Sequence, residues 1–206
     1  MRLGIFGGTF DPIHYGHLVA AEEARCAMDL SRVLFVPSAR PPHKLEYRVS
    51  PAERRVEMIR LAIADNPHFE LSTIEMDRPG LSYSVDTVAA LQQQLGPKAD
   101  LYFILGEDQL ADLPTWHQPH RFLQLCKLIA VNRPGYHSFS LRLLERQLPG
   151  VEGRVFSVRI PELAIWSTEL RARIASGLPI RYLVPNAVLD YIKENGLYLN
   201  GTSPAA

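Results

Sequence analysis

Leu3-Gly4-Ile5-Phe6-Gly7-Gly8-Thr9-Phe10-Asp11-Pro12-Ile13-His14-Tyr15-Gly16-His17 is the stretch whose reading decides the fold. Leu3 to Phe6 is a short apolar run with the character of a buried strand, and it meets two glycines. Beyond His14, Leu18, Ala21, Ala24, Arg25 and Met28 recur at helical spacing. The segment therefore reads strand, tight glycine loop, helix. Gly7 and Gly8 are expected to turn the backbone sharply and to leave main-chain N–H groups open to a ligand. The helix start would add its own N–H groups and the positive end of its dipole. His14 and His17, three apart, fall on one face of its first turn. Together these features predict a phosphate site.

Two familiar phosphate loops do not fit. No Gly-Lys-Ser/Thr follows, as a P-loop requires, and the glycine spacing is wrong for a dinucleotide fingerprint. A metal pair at i, i+3 is the other option for the histidines. With no Cys or further His close in sequence, no resident metal site is expected.

Composition narrows the class. With 206 residues, 47% of them hydrophobic, the chain can bury a substantial core as one domain. Lys plus Arg and Asp plus Glu balance at 22 each, so no global field would draw nucleic acid or a membrane surface. Any attraction for anions must be local. No N-terminal apolar signal region and no membrane-length apolar run are evident. Cys26 and Cys126, in apolar contexts, read as reduced core thiols of a cytoplasmic protein.

Along the chain, strand and helix patterns alternate. The first helix should run to about Met28, and a second strand, Val33 to Val36, should end at Pro37. The loop Ser38-Ala39-Arg40-Pro41-Pro42-His43-Lys44 follows, stiffened by prolines and basic enough to grip a second phosphate. Ser50, Pro51 and Glu53 predict an N-cap, N1 position and capping box for a helix that stops at Asn66-Pro67. A strand is expected over Phe69 to Ile74, then a helix capped by Ser84 and ended by Gly96. Leu101 to Leu105 is apolar throughout, as a central parallel strand would be, and leads into Gly106-Glu107-Asp108. An acid just past such a glycine can accept hydrogen bonds from ribose hydroxyls. Lys127 to Val131 and Arg154 to Val158 read as strands, with a helix over Ser140 to Leu148 between them. Ser167 and Thr168 can cap a short helix with Arg171 one turn in, which makes a second anion site. Asn186 to Glu194 is a terminal helix, residues 1–198 read as one domain, and residues 199–206 as a tail.

This alternation predicts an α/β fold built on a doubly wound parallel sheet, with ligands at the carboxyl ends of the strands. Gly8, Phe10, Pro12, His14, Gly16 and His17 match the G-x-F-x-P-x-H-x-G-H signature of the nucleotidylyltransferase superfamily, and Ser167-Thr168-Glu169-Leu170-Arg171 matches its S-T-x-x-R signature. Pro-Pro-His-Lys at 41–44, Ser-Tyr-Ser-Val-Asp-Thr at 82–87, Gly106-x-Asp108 with Trp116 downstream, and Asn-Arg-Pro-Gly at 132–135 resemble the bacterial nicotinate-nucleotide adenylyltransferases. The likeness covers about residues 1–198. It departs at Trp166, where the family usually has a serine.

The resemblance implies a Rossmann-like fold and adenylyl transfer from ATP to nicotinate mononucleotide, with Mg2+ arriving on the nucleotide. It implies that His14, His17 and Arg171 are catalytic, and that ATP binds at Gly7, Gly8, Thr9, Phe10, His14, His17, Gly106, Asp108, Ser167, Thr168 and Arg171. It places the mononucleotide at Lys44, Tyr83, Ser84, Thr87, Trp116 and Arg133. Asp86 is the nearby acid that would spoil a nicotinate pocket, so it is expected to point away.

Overall fold

The computed structural model describes residues 1–40, 49–78, 80–132, 135 and 140–199. The expected basic loop at 41–44, the assignment of Arg133 and the end of the tail lie outside them. Six strands form one sheet: β1 (Arg2–Gly8), β2 (Arg32–Pro37), β3 (Phe69–Leu71), β4 (Asp100–Gly106), β5 (Lys127–Val131) and β6 (Val155–Val158). Their order is β3-β2-β1-β4-β5-β6 and every pairing is parallel. The expected parallel α/β sheet is thus present. β3 covers only three residues, fewer than its apolar pattern suggested.

Side chains on the central strands alternate between two cores, as strand periodicity demands. Leu3 and Ile5 of β1, with Leu101, Phe103 and Leu105 of β4, face one core that takes in α3 (Ser84–Leu95) and α5 (Pro119–Leu125). Phe6, Tyr102 and Ile104 face the other, built on α1 (Tyr15–Ala27), α2 (Ala52–Ala62), α7 (Ser167–Ala175) and α8 (Asn186–Glu194). Helices α4 (Glu107–Leu110) and α6 (Leu141–Gln147) complete the set. The chain leaves β1 toward β2 and β3 and then crosses back to β4. Strand order reverses between β1 and β4, and in such sheets a crevice opens there at the carboxyl ends. Among the described residues no helix is long and apolar enough to cross a membrane.

Several local expectations are corrected. Gly7 and Gly8 continue β1 rather than turning it. The turn comes at Phe10, which adopts a positive φ of 50°, a left-handed conformation costing roughly 1–2 kcal/mol for a residue with a Cβ. The glycines serve close approach instead: a Cβ on Gly7 would sit 3.0 Å from the Phe103 ring, and one on Gly8 3.0 Å from the Phe10 ring. Pro51, not Ser50, is the N-cap of α2, and the Ser50 amide donates to the Asp11 carboxylate. Tyr83 rather than Ser84 occupies the N-cap of α3, and Trp166 that of α7, neither with a side-chain cap. α5 was not foreseen: its short Pro-His-Arg-Phe-Leu-Gln-Leu sequence offers a single apolar turn. Cys126 is buried, and burial pushes its thiol up from the ordinary range. Cys26 is exposed beside Glu22 and Arg25, so it is no core thiol.

Candidate active site

A cleft of about 840 Å³ opens along the carboxyl ends of β1, β2, β4 and β5. Its floor is the phosphate loop. His14 is the N-cap residue of α1 and His17 lies one turn further on. Their rings stack with centroids 3.7 Å apart and planes 26° from parallel. Gly16 makes room for this stack, since a Cβ there would lie 3.0 Å from Nδ1 of His14. The His14 amide donates to Nδ1 of His17 at 3.3 Å. That bond makes Nδ1 an acceptor, so in the neutral imidazole the ring proton is on Nε2. Phe10 meets the His17 ring edge-on at 5.0 Å and Phe6 at 6.0 Å, walling it on its apolar side. His17 is thereby presented as an oriented N–H donor.

The helix end offers fewer amides than expected. Tyr15 donates its amide to the Leu183 carbonyl at 3.1 Å, and His17 donates its own to the His14 carbonyl at 2.9 Å. Electropositive character at this end of the cleft therefore rests mainly on side chains.

The second predicted anion site meets the first. Ser167 donates its hydroxyl to the Pro12 carbonyl at 2.9 Å, and Arg171 donates Nη1 to the Asp11 carbonyl at 2.7 Å. The α7 start is thus latched onto the phosphate loop by two residues the sequence reading assigned to ATP. This also explains why Ser167 caps nothing. Nη2 of Arg171 reaches Thr168 Oγ1 at 3.5 Å, and Nε is buried with no protein acceptor among the described residues. Trp166, the departure from the family pattern, lines the same part of the cleft.

Beyond the loop, Gly7, Gly8, Thr9 and Gly106 line the cleft as expected, and so do Ser84, Thr87 and Trp116. Asp108 sits on α4 and is not among the lining residues, whereas Gln109 is. Tyr83 reaches the cleft through His117, a lining residue on whose ring it stacks at 4.2 Å. Trp116 packs against Phe103 and Phe122 at 6.1 and 5.4 Å.

Two residues that sequence reasoning missed change the chemistry of this side. Glu75 is 6% exposed and lines the cleft. It accepts the Thr87 hydroxyl at 2.6 Å through Oε1, while Oε2 has no protein donor among the described residues. Thr87 cannot also donate to a ligand. The buried acid at this end is Glu75; Asp112 also lines the cleft, whereas Asp86 does not. Nothing flags Glu75 in sequence, because it sits in an ordinary turn whose pairing with Thr87 spans twelve residues. Ser82 also lines the cleft, its Oγ accepting the amides of Ala39 and Arg40 at 3.0 Å each, which leaves its own proton to give. Asn132 grips Ile160 through both main-chain groups, holding residues 160–161 along the cleft beyond β6.

The profile of the cytidylyltransferase-like family matches residues 5–173. A probable nicotinate-nucleotide adenylyltransferase from Moorella thermoacetica is 51% identical, covering 96% of this chain and 91% of its own. One from Roseiflexus is 49% identical, covering 95% and 97%. The solved Plasmodium falciparum nicotinic acid mononucleotide adenylyltransferase, complexed with NaAD, superposes with a TM-score of 0.79 over 96% of this chain and 97% of its own, at 20% identity, a likeness of fold. With about half its residues shared with such relatives over nearly its whole length, the chain belongs to the nicotinate-nucleotide adenylyltransferase family.

Proposed function

We infer that residues 1–198 work as one catalytic domain that transfers the adenylyl group of ATP to nicotinate mononucleotide, giving nicotinate adenine dinucleotide and pyrophosphate. The observation that carries this reading is the stacked His14–His17 pair on a loop latched to Arg171 and Ser167. A phosphate oxygen of the mononucleotide attacks the α-phosphorus of ATP, and the bond to the bridging oxygen breaks as pyrophosphate departs. A phosphate monoester is largely ionised near neutral pH, its second pKa being about 6, so no general base is required. Catalysis then comes from holding the two phosphates in line and from donors aimed where negative charge accumulates. Nε2 of His17 is such a donor, and the Arg171 guanidinium takes the β,γ end of the triphosphate.

Among the described residues no group of three or more His, Cys, Asp and Glu is placed to hold a metal ion. In this reading Mg2+ enters with the nucleotide substrate, bound by its phosphates. Gly106 takes the adenosine side, with Asp108 near it on α4. Trp116, with Tyr83 and His117, forms the aromatic side suited to a cationic pyridinium. The carboxylate of nicotinate would meet the start of α3, where the amides of Ser84 and Val85 have no intrahelical acceptor and Ser82 and Ser84 add hydroxyls. Lys44 and Arg133 remain assigned to the mononucleotide on sequence grounds alone. The exposed Cys26 and the buried Cys126, both free, suit a reducing cytoplasm.

The test is pyrophosphate release from ATP with a panel of nicotinate mononucleotide, nicotinamide mononucleotide and 4′-phosphopantetheine. Turnover should be fastest with the first; preference for the last would replace the reading with a pantetheine-directed one.

A further inference from the structure

Arg55, in the first turn of α2, is 1% exposed, and each of its three guanidinium nitrogens donates to a backbone carbonyl. Nε donates to the Ser50 carbonyl at 2.9 Å, Nη1 to the Thr9 carbonyl at 2.9 Å and Nη2 to the Ser38 carbonyl at 2.8 Å. Those carbonyls belong to three separate segments: the phosphate loop, the residue after β2 and the approach to α2. Asp11, 3% exposed, closes the arrangement from the other side. Its Oδ2 accepts the Ser50 amide at 3.0 Å and its Oδ1 the Tyr198 hydroxyl at 2.6 Å. Ser50 is therefore held by its N–H through Asp11 and by its C=O through Arg55. The carbonyl of the same Asp11 carries Arg171.

Stability alone is a poor reason for this design. Burying a guanidinium against neutral carbonyls carries a large desolvation cost, and well-packed apolar side chains commonly hold a core as well or better. Desolvation pulls Arg55 down from its ordinary value, with Asp11 the leading opposing influence. Burial, then the Asp11 charge, push the Tyr198 phenol up, so it remains a donor. What a guanidinium offers is a rigid fan of donors that fixes several acceptors at once. Thr9 directly precedes Phe10, whose ring walls His17.

We propose that Arg55, braced by Asp11 and Tyr198, is a positioning residue for adenylyl transfer: it sets the phosphate loop, and through it the histidine pair, where charge develops in the transition state. The inference rests on the histidine pair being the reacting site, which a His17→Ala variant tests separately. Two substitutions examine it, each with steady-state kinetics for ATP and nicotinate mononucleotide and a thermal melt. Arg55→Lys keeps the charge but cannot span three carbonyls. It should fold, lose ten- to a hundredfold in kcat and keep both KM values within about threefold. Tyr198→Phe removes one tether from Asp11 while leaving the ring packed, and should lose three- to tenfold in kcat with both KM values unchanged. Wild-type kcat in either folded variant, or a loss confined to KM, overturns the proposal. Should Arg55→Lys not fold, Tyr198→Phe decides in the same terms.

Discussion

The phosphate loop and the side of the cleft under α3 and α5 are built on opposite plans. At the loop, polar side chains spend part of their hydrogen-bonding capacity on the backbone: His17 accepts at Nδ1, and Arg171 spends Nη1 on Asp11. Under α3 the hydroxyl expected to donate is consumed internally by Glu75, whose second carboxylate oxygen is left as an acceptor. Donors oriented by the backbone make one end suited to polyphosphate. The other end combines aromatic surface with one buried acid, which suits a cationic ring. The comparison predicts that changes at the loop act on the chemical step or on ATP, and changes under α3 on the mononucleotide.

The largest expected effect is at His17. Replacing it with alanine should lower kcat about a hundredfold or more while ATP affinity changes little, by analogy with loss of a single oxyanion donor. Single-turnover and steady-state rates with nicotinate mononucleotide check this. Normal turnover would reduce the loop to a binding site and erase half of the contrast.

Next is Arg171→Ala, expected to raise KM for ATP about tenfold or more, the scale of a lost charge-assisted hydrogen bond. KM for the mononucleotide should stay within about twofold. Parallel rises for both substrates would mean that the two ends are not separable.

These two predictions rest on residues that were legible in the sequence, and the reason is physical. His14, Gly16 and His17 lie within one helical turn, so helix geometry alone brings them together. The sheet was legible for the same reason, since β4 and β5 are continuous apolar runs. Even there, the residue that turns the loop was misread: a left-handed Phe10 is set by packing against Phe6 and Phe35, which no local pattern reports. Ser167 looked like a cap because serine favours that position, whereas a carbonyl 155 residues away claims its hydroxyl. Glu75 and Arg55 were invisible on the same grounds. Their partners are backbone atoms or a threonine brought near only by the fold.

A smaller effect is expected from Trp116→Ala. Its ring contributes an aromatic face common to both pyridine mononucleotides. KM for nicotinate and nicotinamide mononucleotide should rise together, about three- to tenfold, with their ratio within twofold of wild type. A changed ratio would give Trp116 a part in discrimination that a stacking surface does not have.

The smallest effect on activity should come from Thr87→Val, which probes the contrast most directly. If the Thr87 hydroxyl met the substrate carboxylate, its loss would erode the preference for nicotinate. The hydroxyl instead donates to Oε1 of Glu75 at 2.6 Å, so the nicotinate to nicotinamide ratio of kcat/KM should stay within about twofold. The cost should appear as stability, because a buried carboxylate oxygen loses its donor, worth about 1–3 kcal/mol. For a chain of this size that corresponds to a melting point lower by about 2–4 °C for each kcal/mol. Glu75→Gln gives the complementary reading. Its amide still accepts from Thr87 but places a donor where Oε2 now lies, so the ratio should move about two- to fivefold toward nicotinate. A Thr87→Val variant that lost selectivity while keeping its melting point would turn that hydroxyl toward the substrate, and Glu75 would then be a bystander rather than the acid that shapes this end of the cleft.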